Sequence, residues 1–196
     1  QTRLQVWEPR VAFVMGAGQI GLLTTMMLRL KGLQVYTVAR TENPGLKQEL
    51  TTAYGAEYVS TRRETIDQLA KRVGRPDLVI EATGSARIAF ECMQVLNTNG
   101  ALVWTSVTGG DASADIPVNK INLEWVLGNK LLVGTVNGNR KHFEQGLAAL
   151  ASGEMMFPGV TQKILTHKID GIDDPPGILK QLEDPTALKT YVEVSE

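Results

Sequence analysis

The stretch VAFVMGAGQIGLLTTMMLRLKGLQVYTVAR, Val11 to Arg40, decides how the rest of the chain is read. An apolar run ending at Met15 meets three glycines, Gly16, Gly18 and Gly21, and then a segment from Gln19 to Leu30 with apolar residues at helical spacing. A second β-branched run, LQVYTVA, follows at residues 33–39. Unbroken apolar runs suit strands covered on both faces, whereas the longer period suits a helix packed on one face. In that setting each glycine has a mechanical reading. Gly16 makes a tight turn, Gly18 lets the backbone approach a pyrophosphate, and Gly21 lets the helix pack on the strand. The phosphate would meet free N–H groups and the positive end of the helix dipole. A turn rich in glycine for packing alone is the competing reading.

The rhythm continues outward. RVAFVM, LQVYTVA, AEYV, DLVIEA, ALVWTSV and KLLVGTV read as six strands. Helical segments are expected at Gln19 to Leu30, about Pro44 to Tyr54, Ile66 to Val73, Ala86 to Leu96, Asn122 to Leu127 and Arg140 to Ala151. Such alternation predicts an α/β fold, a doubly wound parallel sheet of the NAD(P)-binding Rossmann type, over residues 11–156. From Phe157 the pattern changes to a strand, a short helix that Asp174 caps ahead of Pro175, and a last strand. Residues 157–196 are therefore read as a C-terminal extension, with Ile164, Leu165 and Val192 expected to be exposed. Residues 1–10 are read as a linker, and the chain as a piece of a longer protein.

Composition narrows the function. Among 196 residues, 20 Lys and Arg against 21 Asp and Glu leave a formal charge of -1, which favours neither nucleic acid nor an anionic membrane as partner. No apolar run reaches the roughly 18 residues of a membrane span, and the first residues lack a signal-peptide pattern, so a cytoplasmic protein is expected. The single cysteine, Cys92, sits at helical spacing among apolar residues and reads as a buried core thiol. His142 and His167, the only histidines, have no further ligand at metal spacing, so no metal site is expected within this chain.

The end of the second predicted strand bears on cofactor choice. Asp or Glu there would accept hydrogen bonds from both ribose hydroxyls of NAD; this chain has Ala39 and then Arg40. The guanidinium can make a paired, charge-assisted contact to a 2′-phosphate, which favours NADP. Arg40 as an ordinary surface residue is the alternative, and nearby Glu42 keeps NAD use open. DLVIEATGS ends a strand in a small polar turn with Thr83 and Ser85; Ser85 reads equally as ligand contact or helix cap. Thr105, Ser106 and Val107, and Thr135, Val136 and Asn137, follow later strands at the same carboxyl edge. The amide of Asn137 can donate and accept beside a nicotinamide or a sugar.

Taken together, VMGAGQIGLL, VYTVARTE, LVIEATGS, LLVGTVNGNRKHFEQ and LKTYVEV resemble the medium-chain dehydrogenase family, most closely the nucleotide-binding half of the glucose dehydrogenases of archaea and some bacteria. The resemblance implies oxidation of the anomeric carbon of an aldose to a lactone, with hydride passing to NADP or NAD. It implies a catalytic zinc in a separate N-terminal domain and a homo-oligomer for the full-length enzyme. It also implies that Ala17, Gly18, Gln19 and Ile20 line the pyrophosphate and that Ala39, Arg40 and Thr41 surround the 2′ position. Residues 105–107 and 135–137 would approach the nicotinamide and its ribose, Asn137 would also reach the sugar, and Lys189 would be a further basic cofactor contact. Two features depart from the pattern. Thr41 replaces an arginine found in some relatives, which thins the 2′-phosphate clamp, and the zinc ligands have no counterpart. No catalytic group is expected in this chain. An NAD(H)-sensing regulatory module and an S-adenosylmethionine methyltransferase are the alternatives; Ala39 and Arg40 argue against the second.

Overall fold

The structure, a computed structural model, describes residues 7–43, 45–111, 113–184 and 186–194. Strands β1 (Val11–Met15), β2 (Gln34–Ala39), β3 (Glu57–Ser60), β4 (Leu78–Glu81), β5 (Ala101–Trp104) and β6 (Leu131–Gly134) form one six-stranded sheet in the order β3-β2-β1-β4-β5-β6. Every neighbouring pair is parallel. Helices α1 (Gln19–Leu30), α2 (Leu46–Ala53), α3 (Ile66–Val73), α4 (Ala86–Val95), α5 (Val118–Leu127) and α6 (Arg140–Met156) connect or follow them.

The unbroken apolar strands are explained by two-sided burial. Phe13 and Met15 of β1 join Tyr36, Val38, Val79 and Leu102 in a core closed by Leu69 of α3 and Cys92 and Val95 of α4. The alternate residues Ala12 and Val14 face the other way, with Leu28, Leu33 and Val35. Within the second layer the Thr25 hydroxyl of α1 donates to the Gly21 carbonyl at 2.9 Å and lies 2.7 Å from the Thr37 hydroxyl of β2. Both threonines are fully buried, so this pair satisfies two hydroxyls that would otherwise be costly. Strand order reverses between β1 and β4, and a crevice at the carboxyl ends of those two strands is the usual result.

Several boundaries shift. Helix α5 begins at Val118 instead of Asn122, with Pro117 at its N-cap and Ile121 its one buried residue. Helix α6 runs past Ala151 to Met156; a Cβ at Gly153 would lie 2.4 Å from Met26 Sδ, so that glycine serves helix contact and does not stop the helix. Strands β5 and β6 end before Thr105 and Thr135, leaving those residues in loops. Pro44, the expected start of α2, lies outside the described residues.

Beyond α6 come a 3-10 turn (Thr161–Ile164), β7 (Leu165–Asp170), α7 (Pro175–Leu182) and β8 (Lys189–Glu193), with β7 and β8 paired in a separate parallel ribbon. Asp174 caps α7 as expected, accepting from Gly177 N–H at 3.1 Å with Pro175 next in the chain. Ile164 corrects the sequence expectation. It is 4% exposed, packed with Leu188 into a cluster of Leu22 and Met26 of α1, Leu50 of α2 and Tyr54. Val192 is half-buried, whereas Leu165 is exposed. The turn before β7 is thus anchored on α1 and α2. Replacing Ile164 with Ala should cost about 2–5 kcal/mol of stability, read by denaturant unfolding; a loss near zero would detach this segment from the core.

Candidate functional site

The glycine loop sits where β1 hands over to α1. Gly16 has φ +110°, donates its N–H to the Val38 carbonyl at 2.7 Å, and would place a Cβ 2.6 Å from the Ala82 carbonyl oxygen. Only glycine fits that turn between β2 and β4. A Cβ at Gly21 would lie 1.9 Å from the Gly16 carbonyl oxygen, so the first turn of α1 rests directly on the loop. Gly18 differs: a Cβ there would meet nothing within 4 Å. Packing alone accounts for Gly16 and Gly21 but gives no reason for Gly18. That residue is the N-cap of α1, makes no side-chain cap, and its carbonyl accepts the first helical bond from Leu22 N–H at 2.9 Å. The N–H groups of Gln19, Ile20 and Gly21 have no acceptor among the described residues. Ala17 is buried beneath them, while Gln19 and Ile20 are exposed. The result is an open floor under three free donors at the positive end of a helix.

At the far side of β2, the loop Ala39–Glu42 is fastened to the end of β3. Thr61 N–H donates to the Ala39 carbonyl at 2.9 Å, the Ser60 hydroxyl to the Arg40 carbonyl at 3.3 Å, and the Tyr58 hydroxyl to the Thr41 carbonyl at 2.9 Å. Burial raises the Tyr58 phenol above its ordinary value, which keeps the proton that this bond needs. Arg40 is exposed, and its guanidinium makes no ion pair among the described residues. Glu42 is 3.7 Å from Arg63.

The end of β4 contains a residue that sequence reasoning passed over. Glu81 is 1% exposed, and its Oε1 accepts from Thr83 N–H at 2.6 Å and from the Thr83 hydroxyl. The Thr83 oxygen in turn accepts from Ser85 N–H at 3.0 Å. The hydroxyl proton of Thr83 is therefore committed inward, and its methyl faces the Cβ direction of Gly16 at 3.5 Å. Ser85 occupies the N-cap of α4 but makes no capping bond with its side chain, so the cap reading fails for that hydroxyl. The available signal was an acid closing the apolar run LVIE, two residues before a threonine. Cys92 lies in the same layer. Burial, reinforced by the charge of Glu81, pushes its thiol far above the ordinary range and leaves it unreactive.

Along the same edge, the Thr105 hydroxyl donates to the Glu81 carbonyl at 2.7 Å, and Thr135 N–H donates to the Trp104 carbonyl at 3.0 Å. Ser106 is half-buried; Val107, Thr135, Val136 and Asn137 are exposed. Asn137 adopts a left-handed conformation at φ +62°, a few residues before the Asn139 cap of α6. Lys189 starts β8 and lines a largely apolar cleft of about 470 Å³ with Gln19, Leu23, Leu150, Ile164 and Leu165. Gln19 and Lys189 thus share one cleft beside the glycine loop. The histidines stand apart: His142 Nδ1 accepts from Asn139 N–H at 3.2 Å, and His167 Nε2 lies 3.6 Å from Asp184. Among the described residues no group of three or more His, Cys, Asp or Glu is arranged to hold a metal ion, and no helix is long and apolar enough to cross a membrane.

Known proteins share both sequence and fold. The family described as Glucose dehydrogenase C-terminus matches residues 1–184. A glucose 1-dehydrogenase of Methanocella arvoryzae is 34% identical over 189 residues, covering 96% of this chain and 52% of its own length. Glucose 1-dehydrogenase 1 of Caldivirga maquilingensis is 38% identical over 163 residues, 83% of this chain and 44% of that protein. Haloferax mediterranei glucose dehydrogenase, solved in complex with NADP, Zn and gluconolactone, superposes with a TM-score of 0.86 at 28% identity, over 97% of this chain and 52% of that one. The chain spans about half the length of the curated relatives it matches.

Two glycine substitutions separate packing from ligand space. Gly21→Ala forces a methyl group against a carbonyl oxygen and should lower stability by about 1–3 kcal/mol. Gly18→Val should leave the thermal midpoint nearly unchanged yet abolish NADPH binding in a fluorescence titration. Normal NADPH binding by Gly18→Val would show that the open space at this residue is not ligand space.

Proposed function

The chain belongs to the glucose dehydrogenase C-terminus family, and from that premise we propose that it is the NADP(H)-binding half of an aldose 1-dehydrogenase, which oxidises the anomeric carbon to a lactone. The observation that carries this reading is Gly18, whose missing side chain leaves open space over the uncapped start of α1. The family match gives no support to a sensor module or a methyltransferase.

In this reading Ala17 to Ile20 cradle the pyrophosphate, with the free N–H groups of α1 donating to it. Ala39, Arg40 and Thr41 surround the 2′-phosphate, Arg40 supplying the charge. The turn at Thr83, the loops 105–107 and 135–137 and the Lys189 ammonium border the rest of the cofactor, and Asn137 also meets the sugar. Held by these residues, NADP would supply the hydride acceptor, while the hydroxyl proton would have to be taken up by the other half of the protein. This half orients the ring and shields it from water. The described residues do not fit a zinc site, so the metal named for the Haloferax enzyme is assigned to the other half of the full-length protein. Residues 1–10 serve as the linker to that half, 11–156 as the dinucleotide-binding domain, and 157–196 as an extension that packs partly against the other half. A cytoplasmic homo-oligomer completes the proposal; exposed Leu123, Val126 and Leu127 on α5 and Val133 on the edge strand β6 offer apolar surface for association.

Arg40→Ala should weaken NADPH about tenfold or more, the worth of one charge-assisted hydrogen bond of about 1.5–3 kcal/mol, and leave NADH nearly unchanged. Calorimetric titration of both cofactors checks it, and equal losses would remove Arg40 from the 2′ site. The chain alone should bind NADP yet form no measurable NADPH from glucose with added zinc, while a version extended at its N-terminus through the remaining half turns over. Robust turnover by the chain alone would contradict the division of labour.

A further inference from the structure

The loop that follows β2 carries one carboxylate, Glu42, among Ala39, Arg40, Thr41, Glu42 and Asn43. Left free, that carboxylate would oppose NADP in two ways. It would repel a 2′-phosphate, and it would offer an acceptor to the ribose hydroxyls of NAD. The structure places Arg63 against it, with Nε 3.7 Å from Glu42 Oε1.

Arg63 is held there by the backbone. The Ser60 carbonyl accepts from both Arg63 N–H and Glu64 N–H at 3.0 Å, closing a turn after β3. The same Ser60 anchors the Arg40 carbonyl through its hydroxyl, so the turn and the 2′ loop move as one piece. The next acid along, Glu64, is already taken: Arg72 donates to it twice at 2.8 Å, and that guanidinium holds the Glu64 carboxyl below its usual range. Arg63 is therefore left to face Glu42. Arg40 is the one cation among residues 39–43, so an unpaired Glu42 would offset the only positive charge of that loop.

Resting on the assignment of the 2′ site to Ala39–Thr41, we propose that Arg63 is a specificity-determining residue that acts through Glu42: its ion pair silences the carboxylate that would otherwise favour NAD. Arg63 need not touch the cofactor. Both side chains are largely in solvent, with exposures of 64% for Arg63 and 43% for Glu42, so the effect is modest and sensitive to salt.

The test is calorimetric titration of the full chain with NADPH and NADH, at low and physiological ionic strength, for wild type, Arg63→Ala, Glu42→Gln, the double variant and Arg40→Ala. Thermal melts confirm that each is folded. Arg63→Ala should lower the NADPH-to-NADH affinity ratio about threefold to fivefold at low salt, with the loss fading as salt rises. In the Glu42→Gln background the same substitution should leave the ratio unchanged. An unaltered ratio in Arg63→Ala overturns the proposal, and so does an equal loss in both backgrounds, which would put Arg63 on the phosphate itself. If Arg40→Ala leaves the wild-type preference intact, the 2′ site lies elsewhere, and the assignment beneath the proposal fails with it.

Discussion

Gly21 cannot carry a side chain, because a Cβ there would lie 1.9 Å from the Gly16 carbonyl oxygen. That single close approach lets α1 begin directly on the turn that ends β1. The axis of the helix, and therefore the direction of its free N–H groups, follows from it. So does the second layer of the core: α1 seats Leu28 against the sheet and presents Leu22 and Met26 to the outer cluster that Ile164 and Leu188 complete. The 3-10 turn before β7 is thus packed on the same helix whose first turn carries the free N–H donors.

A second constraint acts at the neighbouring strand. Burying Glu81 at the carboxyl edge would be expensive without partners, and Thr83 supplies two donors within its own turn. The carboxylate draws the turn inward until the Thr83 methyl faces Gly16. Loops after β1 and β4 consequently share one wall of the crevice where strand order reverses. The residues proposed for the nicotinamide end, Ser106, Val107 and Asn137, lie beyond the last strand pairs.

Local signals made most of the fold legible. Helix α3 spans the expected Ile66–Val73, and the structure adds a capping box from Thr65 and Gln68 at its start and Gly74 at its end. Helix α1 was read equally well from its period. Where the sequence misled, the cause was a contact distant in the chain. Helix α6 outruns its expected end at Ala151 because Gly153 makes room for Met26 of α1. Ile164, taken for exposed, is covered by α1 and α2. Glu81 escaped notice because charge usually predicts exposure, and only the strand register shows it buried between Met15 and Trp104. For the site, the turn at Gly16 and the packing at Gly21 were legible as mechanics. The ties from Tyr58, Ser60 and Thr61 to the 2′ loop were not, since β3 lies nearly twenty residues away and carries no motif.

In the proposed cofactor site the pyrophosphate lies over Gly18 at the start of α1. Backbone amide shifts of a ¹⁵N-labelled chain, followed during titration with NADP, test this most directly. The largest changes are expected at Gly18, Gln19, Ile20 and Gly21, whose N–H groups would gain acceptors, with a second set at Arg40 and Thr41. Changes confined to the apolar cleft around Leu23 and Leu165, with the glycine loop silent, would contradict it.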